Sequence, residues 1–305
     1  MNVEMYDTII LGSGSAGLSA AVYAKRAQMN FIVIEKIHLG IGQIALSERV
    51  DNYLGLYGLT GYELGVKFRE HAKQFGTAFV EGTAKQIIPQ DAGYTIVLSD
   101  NRTYAAKTII YAAGANPRKL EIPGETELTG SGVSYCAVCD GAFYRGGVTA
   151  VVGGGDTALG DALFLSKICS KVYLIHRRSE FRANSVLKER VLAAENIETV
   201  LNTVPVEIKG ESVVTSVRVK TGDEYRELPI DGIFIAVGSK PNTDILKGIT
   251  ELDKNGYIIA DESGITAAKG IFAAGDVRTK PLRQVVTAVS DGANCVYSLE
   301  KYLSI

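Results

Sequence analysis

Two cysteines separated by two residues are the feature of this sequence with the plainest chemical potential. Cys136 and Cys139 flank an alanine and a valine, and Asp140 follows directly. This spacing permits a disulfide, and in redox motifs it lowers the pKa of one thiol. An acid beside such a pair is able to supply or store the proton that thiol exchange requires, although Asp140 alone would equally suit a turn before glycine.

The same spacing is also typical of half a zinc site, which would need two further ligands. The other two cysteines, Cys169 and Cys295, stand alone within stretches predicted to be helical. The three histidines, His38, His71 and His176, show no pairing at ligand spacing. We therefore favour a redox pair, expect no metal ion, and expect Cys169 and Cys295 to be small buried core residues.

A glycine-rich turn near the start of the chain indicates a nucleotide site. An apolar run at 7–11 leads into the turn at 12–17, a helical stretch follows to about residue 28, and the apolar run at 31–34 ends in Glu35. Strand, glycine turn, helix, strand and acid form the dinucleotide fingerprint in its required context. The glycines allow the tight turn, the approach of a pyrophosphate and the packing of helix on strand. The predicted contacts are Gly12, Gly14, Ser15, Ala16, Gly17 and Glu35.

The same pattern recurs in the second half of the chain. An apolar run at 149–152 leads into the turn at 153–158, a helical stretch follows to about residue 170, and a second apolar run spans 172–175. The predicted contacts of this second site are Gly153, Gly155, Asp156, Thr157 and Ala158.

The two fingerprints differ at the residue that follows the second strand. Glu35 closes the first, whereas His176, Arg177 and Arg178 close the second. An acid suits a free ribose diol, and arginines suit a 2′-phosphate. The sequence therefore predicts two different dinucleotides, FAD or NAD at the first site and NADPH at the second.

Beyond the fingerprints the two halves continue in parallel. Each carries a hairpin and then an apolar strand that ends in glycine, at 109–114 and at 233–238. The first half has an extra segment at 37–61, which is a candidate for specialised contacts. The remaining residues, 243–305, are too few for a third domain, and they contain a strand that ends in Gly275 and Asp276.

Composition sets the broad class. The chain has 305 residues, of which 46% are apolar and 22% charged, with a formal net charge of -2. These values predict about two globular domains and exclude nucleic-acid binding through bulk positive charge. No apolar run approaches the roughly 18 residues that would span a bilayer. Glu4 and Asp7 lie where a signal peptide would be basic, so we expect a cytoplasmic protein.

Taken in order, the motifs resemble those of low-molecular-weight thioredoxin reductases over essentially the whole chain. They are the two fingerprints, Cys-Ala-Val-Cys-Asp, the arginines of the second site with Phe181-Arg182-Ala183, and Gly275-Asp276. The resemblance implies an α/β fold with two Rossmann-like domains. Each domain would have a parallel sheet with helices and a small β-meander, and the second would be inserted in the first. It implies an FAD domain at 1–117 and 243–305, and an NADPH domain with the cysteine pair at 118–242.

The resemblance also implies roles for individual residues. Cys139 would face the flavin, Cys136 would attack the partner disulfide, and Asp140 would act as acid and base. Gln43 and Asn52 match positions near the flavin, with loop solvation as an equally weighted alternative. The further implied cofactor contacts are Gly114, Asp276 on the flavin ribitol, Arg283, Gln284 and Val285 near its ring, and Arg182 on NADPH.

The activity implied is that of a homodimeric thioredoxin-disulfide reductase. Two electrons would pass from NADPH through FAD and the cysteine pair to thioredoxin or a thioredoxin-like redoxin, with rotation of one domain against the other. Residues 51–75 resemble a divergent branch of the family, and some members of that branch do not use NADPH. A disulfide reductase fed by ferredoxin and a dithiol oxidase are therefore alternatives. A silent dinucleotide sensor is a third alternative, against which the cysteine pair speaks.

Overall fold

A computed structural model describes residues 5–37, 40–47 and 49–304 of the chain. They cluster into two compact units. Unit 1 contains the described residues up to Leu46, Val50–Asn116 and those from Lys240 onward, and unit 2 contains Pro117–Ser239 with the described residues of 47–49. The sequence predicts domain boundaries at 117/118 and 242/243, and the two units divide at 116/117 and 239/240. His38, considered above as a metal ligand, lies outside the described residues.

The elements of secondary structure follow in chain order. The strands are β1 (Met5–Leu11), β2 (Phe31–Glu35), β3 (Phe79–Glu81), β4 (Ala84–Gln90), β5 (Gly93–Leu98), β6 (Thr103–Tyr111), β7 (Ala115–Pro117), β8 (Val133–Ser134), β9 (Val148–Val152), β10 (Lys171–Ile175), β11 (Ile197–Val200), β12 (Thr203–Lys209), β13 (Ser216–Thr221), β14 (Glu224–Pro229), β15 (Gly232–Ile235), β16 (Ser239–Pro241) and β17 (Ile271–Ala273). The helices are α1 (Ser15–Arg26), α2 (Gly61–Gln74), α3 (Ala137–Asp140), α4 (Asp156–Leu165), α5 (Ser185–Leu192) and α6 (Val285–Leu303), with short 3₁₀ turns at Gln43–Leu46, Gly141–Tyr144, Asp244–Leu246 and Gly275–Val277.

Unit 1 is built on one mixed sheet. Its strand order is β3-β2-β1-β6-β5-β4, and β17 also pairs with β6. The pairs among β3, β2, β1, β6 and β17 are parallel, whereas β5 and β4 add an antiparallel meander. Side chains of a strand point alternately to the two faces, so Ile9 and Leu11 join one core cluster and Ile10 joins the other. Both faces of the parallel part are therefore covered.

Glycines allow the helices of unit 1 to lie very close to the backbone around them. A Cβ added at Gly17 in α1 would collide with the carbonyl oxygen of Gly12. A Cβ added at Gly292 in α6 would collide with the carbonyl oxygen of Ala16. The glycine turn, α1 and α6 are thereby held together as one packed group.

Unit 2 repeats the architecture with a separate meander. Its parallel sheet has the order β11-β10-β9-β15-β8, and β12, β13 and β14 form a three-stranded antiparallel sheet. Phe234 of β15 packs in the cluster with α4, and its neighbours Ile233 and Ile235 pack in the cluster with the meander. The predicted helix after the second fingerprint is too long, since α4 ends at Leu165 so that the chain can turn back into β10. The predicted fold class is confirmed.

The close approach of α1 to the glycine turn gives a stability prediction. Gly17→Ala should lower the guanidinium unfolding midpoint, because overpacking of this kind costs about 1–3 kcal/mol. Gly160 in α4 is the matched control, since a Cβ added there meets nothing within 4 Å. Alanine is better than glycine in a helix by about 0.5–1 kcal/mol, so Gly160→Ala should raise the midpoint. Shifts of the same sign in both variants would contradict the packing constraint.

Candidate functional site

The cysteine pair forms a disulfide at the start of a short helical turn. Cys136 and Cys139 are bonded, with Cα atoms 5.3 Å apart. Cys136 is the N-cap of α3, and its sulfur accepts a hydrogen bond from the backbone N–H of Cys139 at 3.2 Å. Both cysteines are half-buried, and Val138 between them is exposed. The disulfide predicted as one interpretation of the motif is therefore present.

A serine that sequence reasoning missed ties the acid to this turn. The hydroxyl of Ser134 donates to Oδ2 of Asp140 at 2.6 Å, and it accepts the backbone N–H of Cys136 at 3.0 Å. Ser134 is buried. The carboxylate and the two sulfurs are thus held on one small rigid element. The one sequence signal is a hydroxyl residue two positions before the first cysteine.

The first glycine turn leaves an anion-binding surface open. The N-cap of α1 is Gly14, which supplies no side-chain cap, and the first turn carries no acidic residue. A Cβ added at Gly14 would meet only the Cα of Gly42, at 3.7 Å, and one added at Gly114 would meet nothing within 4 Å. Uncapped first-turn N–H groups beside bare backbone are suited to a pyrophosphate. Ser15, Ala16 and Gly17 form that first turn.

The predicted ribose acceptor of the first site is paired with an arginine that the sequence did not reveal. Both carboxylate oxygens of Glu35 accept hydrogen bonds from Arg69 of α2, one of them at 2.7 Å. The Arg69 guanidinium lies over the ring of Phe79, 4.0 Å from its centroid. Both side chains of the ion pair are buried. A forked guanidinium engages one edge of the carboxylate and fixes its plane.

The strand ending in Gly-Asp meets the first glycine turn. A Cβ added at Gly275, where φ is +81°, would lie 3.0 Å from the Cβ of Ala16. Oδ1 of Asp276 is buried and has no hydrogen-bond partner within the described part of the chain. Burial raises the pKa of Asp276, and the nearby charges of Lys280 and Arg283 oppose that rise. A buried acceptor without a partner is suited to a hydroxyl group of a ligand.

The extra segment of the first half contains two of the other predicted positions, Gln43 and Asn52. Asn52 donates through Nδ2 to Oε1 of Gln284 at 3.0 Å. Gln43 donates to the carbonyl oxygen of Ala115 and, at 3.1 Å, to Oδ1 of Asn116. Both contacts lie within unit 1. Both side chains are exposed, so these contacts are compatible with solvated loop residues as well as with positions near a flavin.

The start of α6 carries the last predicted residues of the first site. Val285 begins the helix, and Gln284 is its N-cap with a reciprocal bond to Thr287. The guanidinium of Arg283 lies over the ring of Tyr257, 4.2 Å from its centroid, and donates to the carbonyl oxygen of Arg278 at 3.3 Å. These contacts hold the helix start in place beside the Gly275–Val277 turn.

The second glycine turn is open in the same way as the first. The N-cap of α4 is Gly155, again without a side-chain cap, and a Cβ added there meets nothing within 4 Å. Gly153 precedes it at the end of β9, and Thr157 is exposed on the first turn. Ala158 is fully buried in the core. Asp156 is engaged differently, because Oδ1 accepts from the backbone and the side chain of Asn184 at 2.8 and 3.0 Å.

The basic residues of the second site divide into one buried histidine and three exposed arginines. The ring of His176 packs against Gly154, and burial lowers its pKa, so it is mostly neutral at pH 7. The backbone N–H of Arg182 donates to the carbonyl oxygen of Gly154 at 2.7 Å, which folds the loop back on the glycine turn. Among the described residues the guanidinium groups of Arg177, Arg178 and Arg182 have no hydrogen-bond or ion-pair partner. The positive charge of the second site therefore comes from the three arginines and not from His176.

The described residues also bear on a metal site, a membrane span and the two remaining cysteines. No group of three or more His, Cys, Asp or Glu side chains in that part of the chain is arranged to hold a metal ion. No helix in the described ranges is long and apolar enough to cross a membrane. Cys169 and Cys295 are buried free thiols, as expected.

Comparison with known proteins agrees with this geometry. Residues 6–292 match the model of the pyridine nucleotide-disulphide oxidoreductases, and the chain belongs to that family. Within it, the chain is 42% identical over 304 residues to a thioredoxin reductase of Bacillus subtilis (strain 168), covering 98% of this chain and 95% of the relative. A solved thioredoxin reductase from Streptococcus pyogenes MGAS5005 aligns with a TM-score of 0.93 at 39% identity, covering 98% of both chains. One from Giardia duodenalis aligns with a TM-score of 0.93 at 34% identity, covering 99% of this chain and 100% of that one. The resemblance inferred from the motifs is confirmed.

The buried pair of Glu35 and Arg69 gives a second prediction. Arg69→Met should destabilise the protein by about 3–5 kcal/mol in urea unfolding, because it leaves a buried carboxylate unpaired. The double variant Glu35→Gln, Arg69→Met should be more stable than Arg69→Met alone. The control is Lys247→Met, since Lys247 forms an exposed pair with Asp244 and should cost less than about 1 kcal/mol. If the losses of stability in Glu35→Gln and in Arg69→Met, measured singly, sum to the loss in the double variant, the two residues are not coupled.

Proposed function

We propose that this chain is an NADPH-dependent thioredoxin-disulfide reductase that carries FAD. The observation that carries the proposal is the Cys136–Cys139 disulfide with Asp140 fixed to the same turn by Ser134. A structural disulfide would have no use for an adjacent acid that is held in place, whereas dithiol exchange needs a proton donor. The names of the relatives reported above point to the same activity and the same partner, thioredoxin or a thioredoxin-like redoxin.

Unit 1 has a surface that fits FAD. The uncapped N-terminus of α1 suits the pyrophosphate, and the unpartnered Oδ1 of Asp276 suits a ribitol hydroxyl. When bound, the flavin supplies a two-electron carrier between a nicotinamide and a disulfide. The residues proposed to hold it are Gly12, Gly14, Ser15, Ala16, Gly17, Glu35, Gln43, Asn52, Gly114, Gly275, Asp276, Arg283, Gln284 and Val285. We accordingly assign 1–117 and 243–305 to the FAD domain.

Unit 2 has a surface that fits NADPH. The open space at Gly155 suits a pyrophosphate at the N-terminus of α4. The exposed arginines after β10 suit a 2′-phosphate, which they would bind through charge-assisted hydrogen bonds. The residues proposed to bind NADPH are Gly153, Gly155, Asp156, Thr157, Ala158, His176, Arg177, Arg178 and Arg182. We assign 118–242 to this domain.

The cysteines of the reduced enzyme exchange electrons with the partner in two steps. The Cys136 thiolate attacks one sulfur of the partner disulfide, which forms a mixed disulfide and expels a thiolate. Asp140 gives that thiolate its proton. Cys139 then loses its proton to Asp140 and attacks the Cys136 sulfur, which restores the Cys136–Cys139 disulfide and expels the second partner thiolate. Asp140 passes that proton to this thiolate, and the partner leaves as a dithiol. Two electrons and two protons leave the enzyme in each cycle.

The disulfide and the nicotinamide site belong to the same domain, and both require the flavin. One rigid arrangement cannot present both to it, so we propose that the domains rotate about the linkers at 116–119 and 238–243. We further propose a homodimer that works in the cytoplasm.

The overall test is anaerobic titration of the purified protein with NADPH and then with oxidised thioredoxin, followed by flavin absorbance. Bleaching by NADPH and recovery with thioredoxin are expected. If ferredoxin alone bleached the flavin, the donor in this proposal would be wrong.

The two cysteines should fail in different ways. Cys139→Ser should still allow NADPH to bleach the flavin, yet disulfide reductase turnover should be lost. Cys136→Ser should also lose turnover, while leaving a Cys139 thiolate that perturbs the flavin spectrum. Both outcomes follow because exchange needs an attacking and a resolving thiol. The measurements are stopped-flow absorbance and thioredoxin reduction, with Cys169→Ser, a buried free thiol, as the control that should retain turnover. Full thioredoxin reduction by either of the first two variants would show that the pair is not the relay.

The exposed arginines should set the choice of nicotinamide cofactor. Each charge-assisted hydrogen bond to a 2′-phosphate contributes about 1.5–3 kcal/mol, reduced here by solvent. We expect a preference for NADPH over NADH of about two to three decades in kcat/KM, at 1.4 kcal/mol per decade. The double variant Arg177→Ala, Arg178→Ala should remove most of that preference and hardly affect NADH. Arg190→Ala in α5 is the control. Equal use of both cofactors by the unmodified protein would sink this prediction.

A further inference from the structure

A buried cluster of charges in unit 1 has no part in the reaction as described so far. It consists of Arg278, Lys280 and Asp291, whose side chains are each 2% exposed. We propose that this cluster is the positioning device of the Gly275–Asp276 turn and that its charges tune the reduction of the bound flavin. The inference rests on the proposed function, since it needs FAD in unit 1.

One carboxylate collects four donors in this cluster. Asp291, in the second turn of α6, accepts Nε and Nη2 of Arg278 at 2.9 and 2.7 Å and Nζ of Lys280 at 2.8 Å. It also accepts the backbone N–H of Gly275 at 2.8 Å. The residue next to Gly275 is Asp276, so a side chain of α6 fixes the backbone from which Asp276 projects.

The cluster carries an excess of positive charge. Arg278 and Asp291 form a forked pair that is neutral as a whole, and Lys280 shares the same carboxylate. Glu262 also contacts Arg278, but it is 76% exposed, so solvent screens it. Lys280 is therefore a buried cation that shares its paired carboxylate with Arg278. Buried charges act over longer distances than exposed ones, because the surrounding dielectric constant is low.

An excess buried cation should favour the reduced flavin. Two-electron reduction leaves the flavin with a negative charge at neutral pH, and nearby positive charge stabilises an anion. Nζ of Lys280 and the backbone N–H of Gly275 donate to the same oxygen of Asp291, each at 2.8 Å, so the cation lies beside the turn proposed to hold the ribitol. Removing the cation should therefore make the flavin harder to reduce, and removing the carboxylate should make it easier to reduce.

The test is the midpoint potential of the bound flavin, measured against a reference dye in the purified holoprotein without NADPH or thioredoxin. Lys280→Met should lower the ratio of reduced to oxidised flavin about tenfold at a fixed potential, a shift of about −30 mV for a two-electron couple. Asp291→Asn should shift the ratio in the opposite direction. Lys301→Met is the control, because Lys301 is an exposed lysine of the same helix and should cause no shift.

Opposite signs distinguish electrostatic tuning from a purely structural role. If the flavin stays bound and neither variant shifts the potential, or both shift it in the same direction, this inference is wrong. Should Asp291→Asn fail to fold, Lys280→Met still decides, since it leaves the pair of Arg278 and Asp291 intact. A wild-type protein that folds but binds no FAD would overturn the proposed function, and this inference with it.

Discussion

Contact between a helix N-terminus and the strand before it is the constraint on which both halves of this protein depend. In unit 1 the contact is made where Gly17 meets the carbonyl oxygen of Gly12, so closely that no side chain fits between them. The first-turn N–H groups of α1 are consequently fixed at the carboxyl end of the parallel sheet. In a sheet of this kind, ligands bind at that end. The glycine turn therefore decides where Glu35, Gly114 and Asp276 must converge.

The two units use one backbone plan and differ in how charge is placed at the end of the second strand. Glu35 is buried and neutralised by Arg69, so the first site presents no bare charge there. At the corresponding place in unit 2, His176 turns inward, and the arginines after it remain exposed without protein partners in the described ranges. A neutral pair and an exposed cluster of cations suit different riboses. On the proposed function, the selectivity of each site would depend on a few side chains rather than on the fold.

Local sequence signals predicted the strands and helices around the glycine turns. They did not predict the contacts between residues that are far apart in the chain. The glycine turns, the flanking strands and the disulfide follow from spacing along a few residues. Helix α2 was not predicted, although Thr60 and Glu63 form the capping box that marks its start. Arg69 pairs with Glu35, and Asp291 accepts the backbone N–H of Gly275. No local sequence signal indicates either contact, because Arg69 and Asp291 each come from a helix distant in the chain. A buried charge reveals its partner only when the tertiary structure brings the two together.

The position of α4 within unit 2 is one ground for the proposed rotation of the domains. The second glycine turn lies at the N-terminal end of α4, which has 10 residues and is therefore about 15 Å long. Gly141, which directly follows the disulfide turn, packs at the other end, where an added Cβ would lie 2.9 Å from Leu165. The proposed nucleotide site and the disulfide turn are thus separated along one helix of one compact unit. A flavin held by the other unit would have to meet two separate points of this unit in each cycle, and rotation about the linkers satisfies that requirement without unfolding either one.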